Sequence, residues 1–269
     1  MSALFHPYLC GRIAAEWLIK MIMTSIFRCL KAEFLKCKHS VLLYIHILIP
    51  LLGAIIFAGY FLVSGWDVQT KVSAYLEVLA VSFPFLAGII VGIVVQIEHQ
   101  AGHYQLMLGT IPSRPATYIG KILLLIIGAI GAVVLALGVF ALIYQEAPFA
   151  LYLKAGTLLI LTSLPLYLIH LFVGLNFGKG ASMGLGIAGS LIAALMITGL
   201  GDVVWKYNPW AWGVRSMDYI VLEWSKPDIF KLLSADFMSG IVIALLCSLL
   251  LFFFSIIWFC SWEGGKGND

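Results

Sequence analysis

Six apolar stretches, each long enough to cross a bilayer, occupy most of the chain: 41–63, 76–97, 122–144, 155–175, 181–201 and 239–260. About 18 apolar residues mark a candidate transmembrane helix. Almost no charged residue lies within the six. In hydrocarbon every backbone polar group must find its partner inside its own helix. The chain therefore reads as an all-α integral membrane protein with six transmembrane helices. Charged residues are only 11% of 269, against about 25% in soluble domains. No segment outside the spans is long enough for a second globular domain. The expected division is an N-terminal extension (1–22), an amphipathic interface helix (23–40), a six-helix membrane domain (41–260) and a short tail (261–269).

Orientation follows from lysine and arginine. With six spans both termini share one side. That side holds Arg12, Lys20, Arg28, Lys31, Lys36, Lys38, Arg114, Lys121, Lys179 and Lys266, ten residues against six on the other: Lys71, Lys154, Lys206, Arg215, Lys226 and Lys231. Both termini are expected in the cytoplasm. A net charge of +3 points to no nucleic-acid partner. Basic residues beside a membrane are attracted to anionic lipid. Cys10, Cys29, Cys37 and Cys260 fall near the cytoplasmic side and Cys247 in the sixth span, so no structural disulfide is expected. Residues 1–20 lack the long apolar core of a cleaved signal peptide. They read as a tail or upstream extension.

Residues 23–38 plot as an amphipathic helix, with Met23, Ile26, Phe27, Leu30, Phe34 and Cys37 on one face. It reads either as a basic flank or as a helix lying in the membrane interface. Gly88 and Gly92, then Gly180, Gly184, Gly186, Ala188 and Ser190, have the spacing of close helix contacts. Those contacts could lie within one chain or between subunits. Pro50, Pro84 and Pro165 predict kinks. On the outside, 202–238 reads as a long loop rich in aromatics, including Trp205, Tyr207, Trp210 and Trp212. Such rings suit the headgroup layer. The segment is expected to be an outer-leaflet belt, an exit lip for an amphipathic substrate, or both.

Catalytic chemistry is missing from the sequence. Gly174-Leu-Asn-Phe-Gly178-Lys179-Gly180 is one residue short of a phosphate loop and lacks its Ser or Thr. His99 and His103 are too few for a metal site. His46 and His170 lie in spans, roughly 7–8 Å from the cytoplasmic end, and could face each other or reach toward the interface. The spans lack the buried charges that mark an ion relay. A pump so built draws its energy from another polypeptide.

The link between spans two and three, Glu98–Lys121, is the largest cytoplasmic connection. Tyr104, Met107, Leu108 and Ile111 have helical spacing, and Pro112 and Pro115 end it. Glu98, Gly102, Leu108, Pro112, Arg114, Tyr118 and Lys121 carry a pattern that resembles type-2 ATP-binding-cassette exporter permeases, and the resemblance spans residues 21–265. Within that superfamily, three segments look most like lantibiotic immunity permeases: Glu98–Gln105, Trp205…Asn208-Pro-Trp-Ala-Trp212 and Trp262-Glu263-Gly264. The resemblance implies a membrane subunit of a bacterial cell-membrane exporter that removes a lantibiotic or similar peptide. Export of another peptide, antibiotic or lipid, or a non-transporting immunity or sensor role, remains open. It also implies an ATPase dimer as partner, with a second permease or a second copy of this chain, and a peptide substrate. ATP and Mg would lie on the ATPase and no cofactor on this chain. ATPase coupling would fall to Glu98, Gly102, Tyr104, Met107, Leu108, Pro112 and Arg114.

Overall fold

The computed structural model describes residues 6–38, 40–109 and 113–264. Among them eight α-helices follow in order: α1 (His6–Cys37), α2 (Val41–Val63), α3 (Val68–Gln100), α4 (Gln105–Gly109), α5 (Arg114–Ile143), α6 (Phe149–Leu195), α7 (Pro209–Ser225) and α8 (Pro227–Ser261). Five of them, α2, α3, α5, α6 and α8, are long and apolar enough to cross a membrane. The class is all-helical as expected. The expected fourth and fifth spans both lie within α6, in which two helices are joined across a kink at Gly178.

That helix is folded back on itself at Gly178. Its φ of +84° and ψ of 177° leave the helical region, in a conformation open mainly to glycine. His170 Nδ1 then lies 3.2 Å from Ser182 Oγ. Twelve residues of straight helix would hold the two about 18 Å apart. Lys179, just past the bend, donates to Gln96 Oε1 at 2.8 Å and ties the tip to the end of α3.

The second arm of α6 is sewn to α3 by small residues. A side chain on Gly88 would begin 2.7 Å from the Ser182 carbonyl, and one on Gly186 2.8 Å from the Pro84 carbonyl. Gly92 faces Lys179. The small-residue contacts expected from the sequence therefore form within the chain, while Gly180 and Gly184 face open space. Ser182 Oγ donates to Gly88 O at 3.0 Å. Ser190 Oγ donates to Val81 O at 2.6 Å and accepts from Phe85 N at 3.0 Å. Those two groups would pair with each other in a regular helix. Pro84, one residue before Phe85, has no amide to give to Ala80, and Ser190 adds a hydroxyl bond to both groups at this weakened turn.

Local capping lengthens the helices beyond the apolar stretches. Asp67 accepts from Thr70 N at 3.0 Å and starts α3 eight residues before the expected span. Lys71 therefore lies in α3 rather than in a loop, with its ammonium donating to Phe61 O at 2.7 Å. Ser113 caps α5, and Pro115 sits in its first turn. At the other end of the chain, α8 begins at Pro227 rather than near 239.

α1 is one continuous helix across the boundary drawn at residue 22. Its inward face is Cys29, Glu33 and Cys37, with Ile26 and Leu30 half-buried. The single apolar face expected from the sequence is therefore split: Met23, Phe27 and Phe34 point outward, Phe27 with 68% of its surface open. Gly120 makes the close crossing with α5 possible, since a side chain there would begin 2.9 Å from Cys29 Cβ. Burial pushes the Cys29 and Cys37 thiols up, away from the reactive thiolate.

Candidate functional site: an ionic ring under the α3–α5 link

α1, α3 and α5 meet at one buried point. Lys121 of α5 lies 2.5 Å from Glu33 Oε2 and 2.7 Å from Glu98 Oε1. Lys36 lies 2.9 Å from Glu33 Oε1 and 2.7 Å from Glu98 Oε1. Each ammonium touches both carboxylates, so the four side chains close a neutral ring. Lys121 and Glu98 side chains are each 1% exposed and Glu33 3%. Isolated charges could not remain there, because desolvation of each ion costs several kcal/mol. The ring holds because its charges cancel and its geometry is short. Glu98 Oε2 is the one ring oxygen with no partner among the described residues.

Directly after Glu98 the chain turns sharply. Gly102, His103 and Tyr104 all have positive φ, at 120°, 49° and 68°. Two non-glycine residues in that region are costly unless their surroundings hold them. Tyr104 is held: its ring packs against Trp262 at 5.2 Å and His99 at 5.6 Å. Met107 of α4 is buried beside it and Leu108 half-buried. His99 and His103 touch, with 3.1 Å between Nε2 and Nδ1. Arg114 donates to Cys260 O at 2.8 Å and Trp262 O at 3.2 Å, placing a cation on the last carbonyls of α8.

The residues with an expected coupling role, Glu98, Gly102, Tyr104, Met107, Leu108 and Arg114, do not share one face. Glu98, Tyr104 and Met107 point inward, and Arg114 is engaged with α8. Gly102, His103, Gln105 and Gly109 form the exposed surface of the link. Ile111 and Pro112 lie outside the described residues. Glu33 and Lys36 were missed altogether. The signal was present: Glu33 is an acid four residues before Cys37 and four after Cys29, on the stripe that packs inward.

The aromatics expected on the outer side are also mostly interior. Trp205 and Trp212 are buried, and Trp210 is half-buried against Gly189. Only Tyr207 of the four is open, at 75%. Asp236 accepts from Tyr219 OH at 2.6 Å and Trp205 Nε1 at 3.4 Å, and pairs with Lys206 at 2.5 Å. Trp212 Nε1 donates to Lys206 O at 2.8 Å. The segment expected to form an outer-leaflet belt or an exit lip is thus packed largely against the protein itself, with Tyr207 open. Asn208 accepts from Trp210 N at 3.1 Å with Pro209 following, which starts helix α7 where a loop was expected. His46 and His170 have separate partners, the Leu42 carbonyl and Gly128 for one, Ser182 and Gly88 for the other.

On α7, Asp218 lies 3.9 Å from Arg215, which pairs with Asp202. Burial, and then the neighbouring Glu77 charge, push the Asp218 carboxyl up to about 7, against the pull of Arg215. The folded chain holds a proton there that an unfolded chain, near the ordinary 3.8, releases. Stability should fall as pH rises from about 4 to about 7. Asp218→Asn should flatten that slope in thermal melts of the detergent-purified protein, and an unchanged slope would remove the assignment.

Residues 29–194 match the family described as ABC-2 family transporter protein. The chain belongs to the ABC-2 transporter family. It is a multi-pass membrane protein and a permease component, and ABC-2 permeases pair with ABC ATPases. No curated protein and no solved structure matches it at a significant level. The matched region begins on the buried face of α1 and contains the whole ionic ring of this permease.

Proposed function

We propose that this permease works in an ATP-driven exporter that removes a lantibiotic or related antimicrobial peptide from the producer's membrane. The observation that carries the coupling part of the reading is the ionic ring. It clamps α1, α3 and α5 directly beneath the link, so a push on the link moves three helices together. In this reading the two arms of α6 both cross the bilayer, giving six crossings and both termini in the cytoplasm. The ten-to-six basic asymmetry supports that orientation. ATP and Mg sit on the ATPase dimer, beside a second permease or a second copy of this chain. Gly102, Gln105, Leu108 and Gly109 meet the ATPase, with Pro112 alongside. Glu98, Tyr104, Met107 and Arg114 hold that surface from behind. The peptide assignment rests on the Glu98–Gln105 and Trp205–Trp212 likenesses.

The test is to express the chain with its ATPase and challenge cells with a panel of lantibiotics. Protection is expected only with the full set and only while the ATPase hydrolyses ATP. Failure against every panel member would remove the substrate assignment. Two variants examine the link. Gln105→Glu with Leu108→Glu should cut ATPase stimulation about tenfold in a chain that still melts cooperatively, since Gln105 is exposed and Leu108 only half-buried. Met107→Ala should instead cost about 2–5 kcal/mol of stability, as a buried methionine does. Normal coupling in a well-folded Q105E/L108E chain would sink the docking surface.

A further inference from the structure

Beside the ionic ring, α1, α2 and α5 leave a crevice of about 420 Å³, within the range of small-ligand sites. Its walls are apolar: Phe34 and Leu35 from α1, Leu43 from α2, Leu124 and Ile127 from α5. Lys31 and Lys38 stand at its mouth. His46 and Gly128 line its far end, seven residues along α5 from Lys121 and so about 10 Å deeper. The glycine gives the imidazole its place, since a side chain there would begin 2.6 Å from His46 Nε2.

The charges on α1 divide by face. Lys36 is drawn into the ring with Glu33 and Glu98. Lys31 and Lys38 are exposed, and among the described residues neither is paired with a carboxylate. An apolar slot with two free ammonium groups at its entrance is complementary to one kind of molecule in a membrane. Its occupant has an acyl chain and an anionic headgroup at the same end of the helices.

We infer that this crevice is a binding site for an anionic phospholipid, its phosphate between Lys31 and Lys38 and an acyl chain along α2 and α5. The lipid fills the gap between α1 and the bundle, next to the ring that clamps the same helices. Zwitterionic lipid offers the chain but adds a cation beside the lysines. Phosphatidylglycerol is therefore preferred over phosphatidylcholine.

The experiment uses the full chain in nanodiscs of equimolar phosphatidylglycerol and phosphatidylcholine, released for native mass spectrometry. Wild type should retain phosphatidylglycerol preferentially. Lys31→Glu with Lys38→Glu should lower that preference about tenfold or more. Ile127→Trp, which fills the slot from a half-exposed position, should lower retention of both lipids. Melting curves report whether each variant is folded, and Lys31→Gln with Lys38→Gln replaces the reversal if it is not. Equal retention of both lipids by wild type overturns the proposal, as does a preference that survives in the folded variants. Disulfide cross-linking of Leu43→Cys between two copies would assign the crevice to a second chain and also overturn it.

Discussion

Lys121→Met should cost the folded chain about 3–5 kcal/mol, the usual result of breaking a buried ion pair from one side. Glu33 and Glu98 would then face each other with Lys36 alone between them, and Lys36 is the one ring member with substantial exposure, 31%. The loss should be read as a fall in melting temperature in detergent and as proteolysis of α1, which the ring holds to the bundle. Replacing all three buried charges, as Glu33→Gln, Glu98→Gln and Lys121→Met, should recover much of that stability, because removing a whole buried cluster is often neutral or better. The triple variant separates two roles. A merely structural ring predicts that ATPase coupling returns with stability. A ring that transmits the push on the link predicts a stable protein that remains uncoupled. Wild-type melting of Lys121→Met would show that the ring is not closed.

Gly186→Leu should be nearly as damaging, for a different reason. The added carbon would begin 2.8 Å from the Pro84 carbonyl and 3.2 Å from Gly88 Cα, both backbone atoms. No rotamer change can clear them, so the arm of α6 must lift from α3. Overpacking of this kind costs about 1–3 kcal/mol, occasionally more. Gly184→Leu, two residues away with nothing within 4 Å, is the control and should be tolerated. The pair is compared by yield and monodispersity after detergent extraction. Equal behaviour would mean that the α3–α6 seam is misplaced.

What the sequence made legible follows from what periodicity and length can encode. Apolar runs located α2, α3, α5 and α8, because hydrophobic length is the strongest signal in a membrane protein. They separated the fourth and fifth runs but could not show how the two arms of α6 meet, since that depends on a single backbone angle at Gly178. They overlooked α7 because its signal is a cap, Asn208-Pro209, and its apolar stripe is short. The aromatics of 202–238 were read from composition, which says that tryptophan suits an interface but not which interface. Trp205 and Trp212 found a protein interior instead. On the link, the burial of Glu98 was not legible because its partners are distant in sequence: Glu33 is 65 residues before it and Lys121 23 after it. An acid on the inward stripe of a basic helix, such as Glu33, is the local trace that such a partner exists.

Ser190 carries a consequence for how the protein is made. Helix α3 is synthesised about a hundred residues before the serine that completes it; the Ser190–Phe85 separation is 105 residues. Until that serine arrives, the helix turn at Pro84, which lacks one donor, has no hydroxyl beside the Val81 carbonyl and the Phe85 amide, and hydrocarbon offers no water in its place. The early membrane helix is therefore an unfinished part, and α6 is its missing piece. A fragment ending after α5 contains every residue of α3 and still lacks the Ser190 hydroxyl that bonds its Val81 and Phe85 groups, so the proline turn of α3 gains that support only once α6 has joined it.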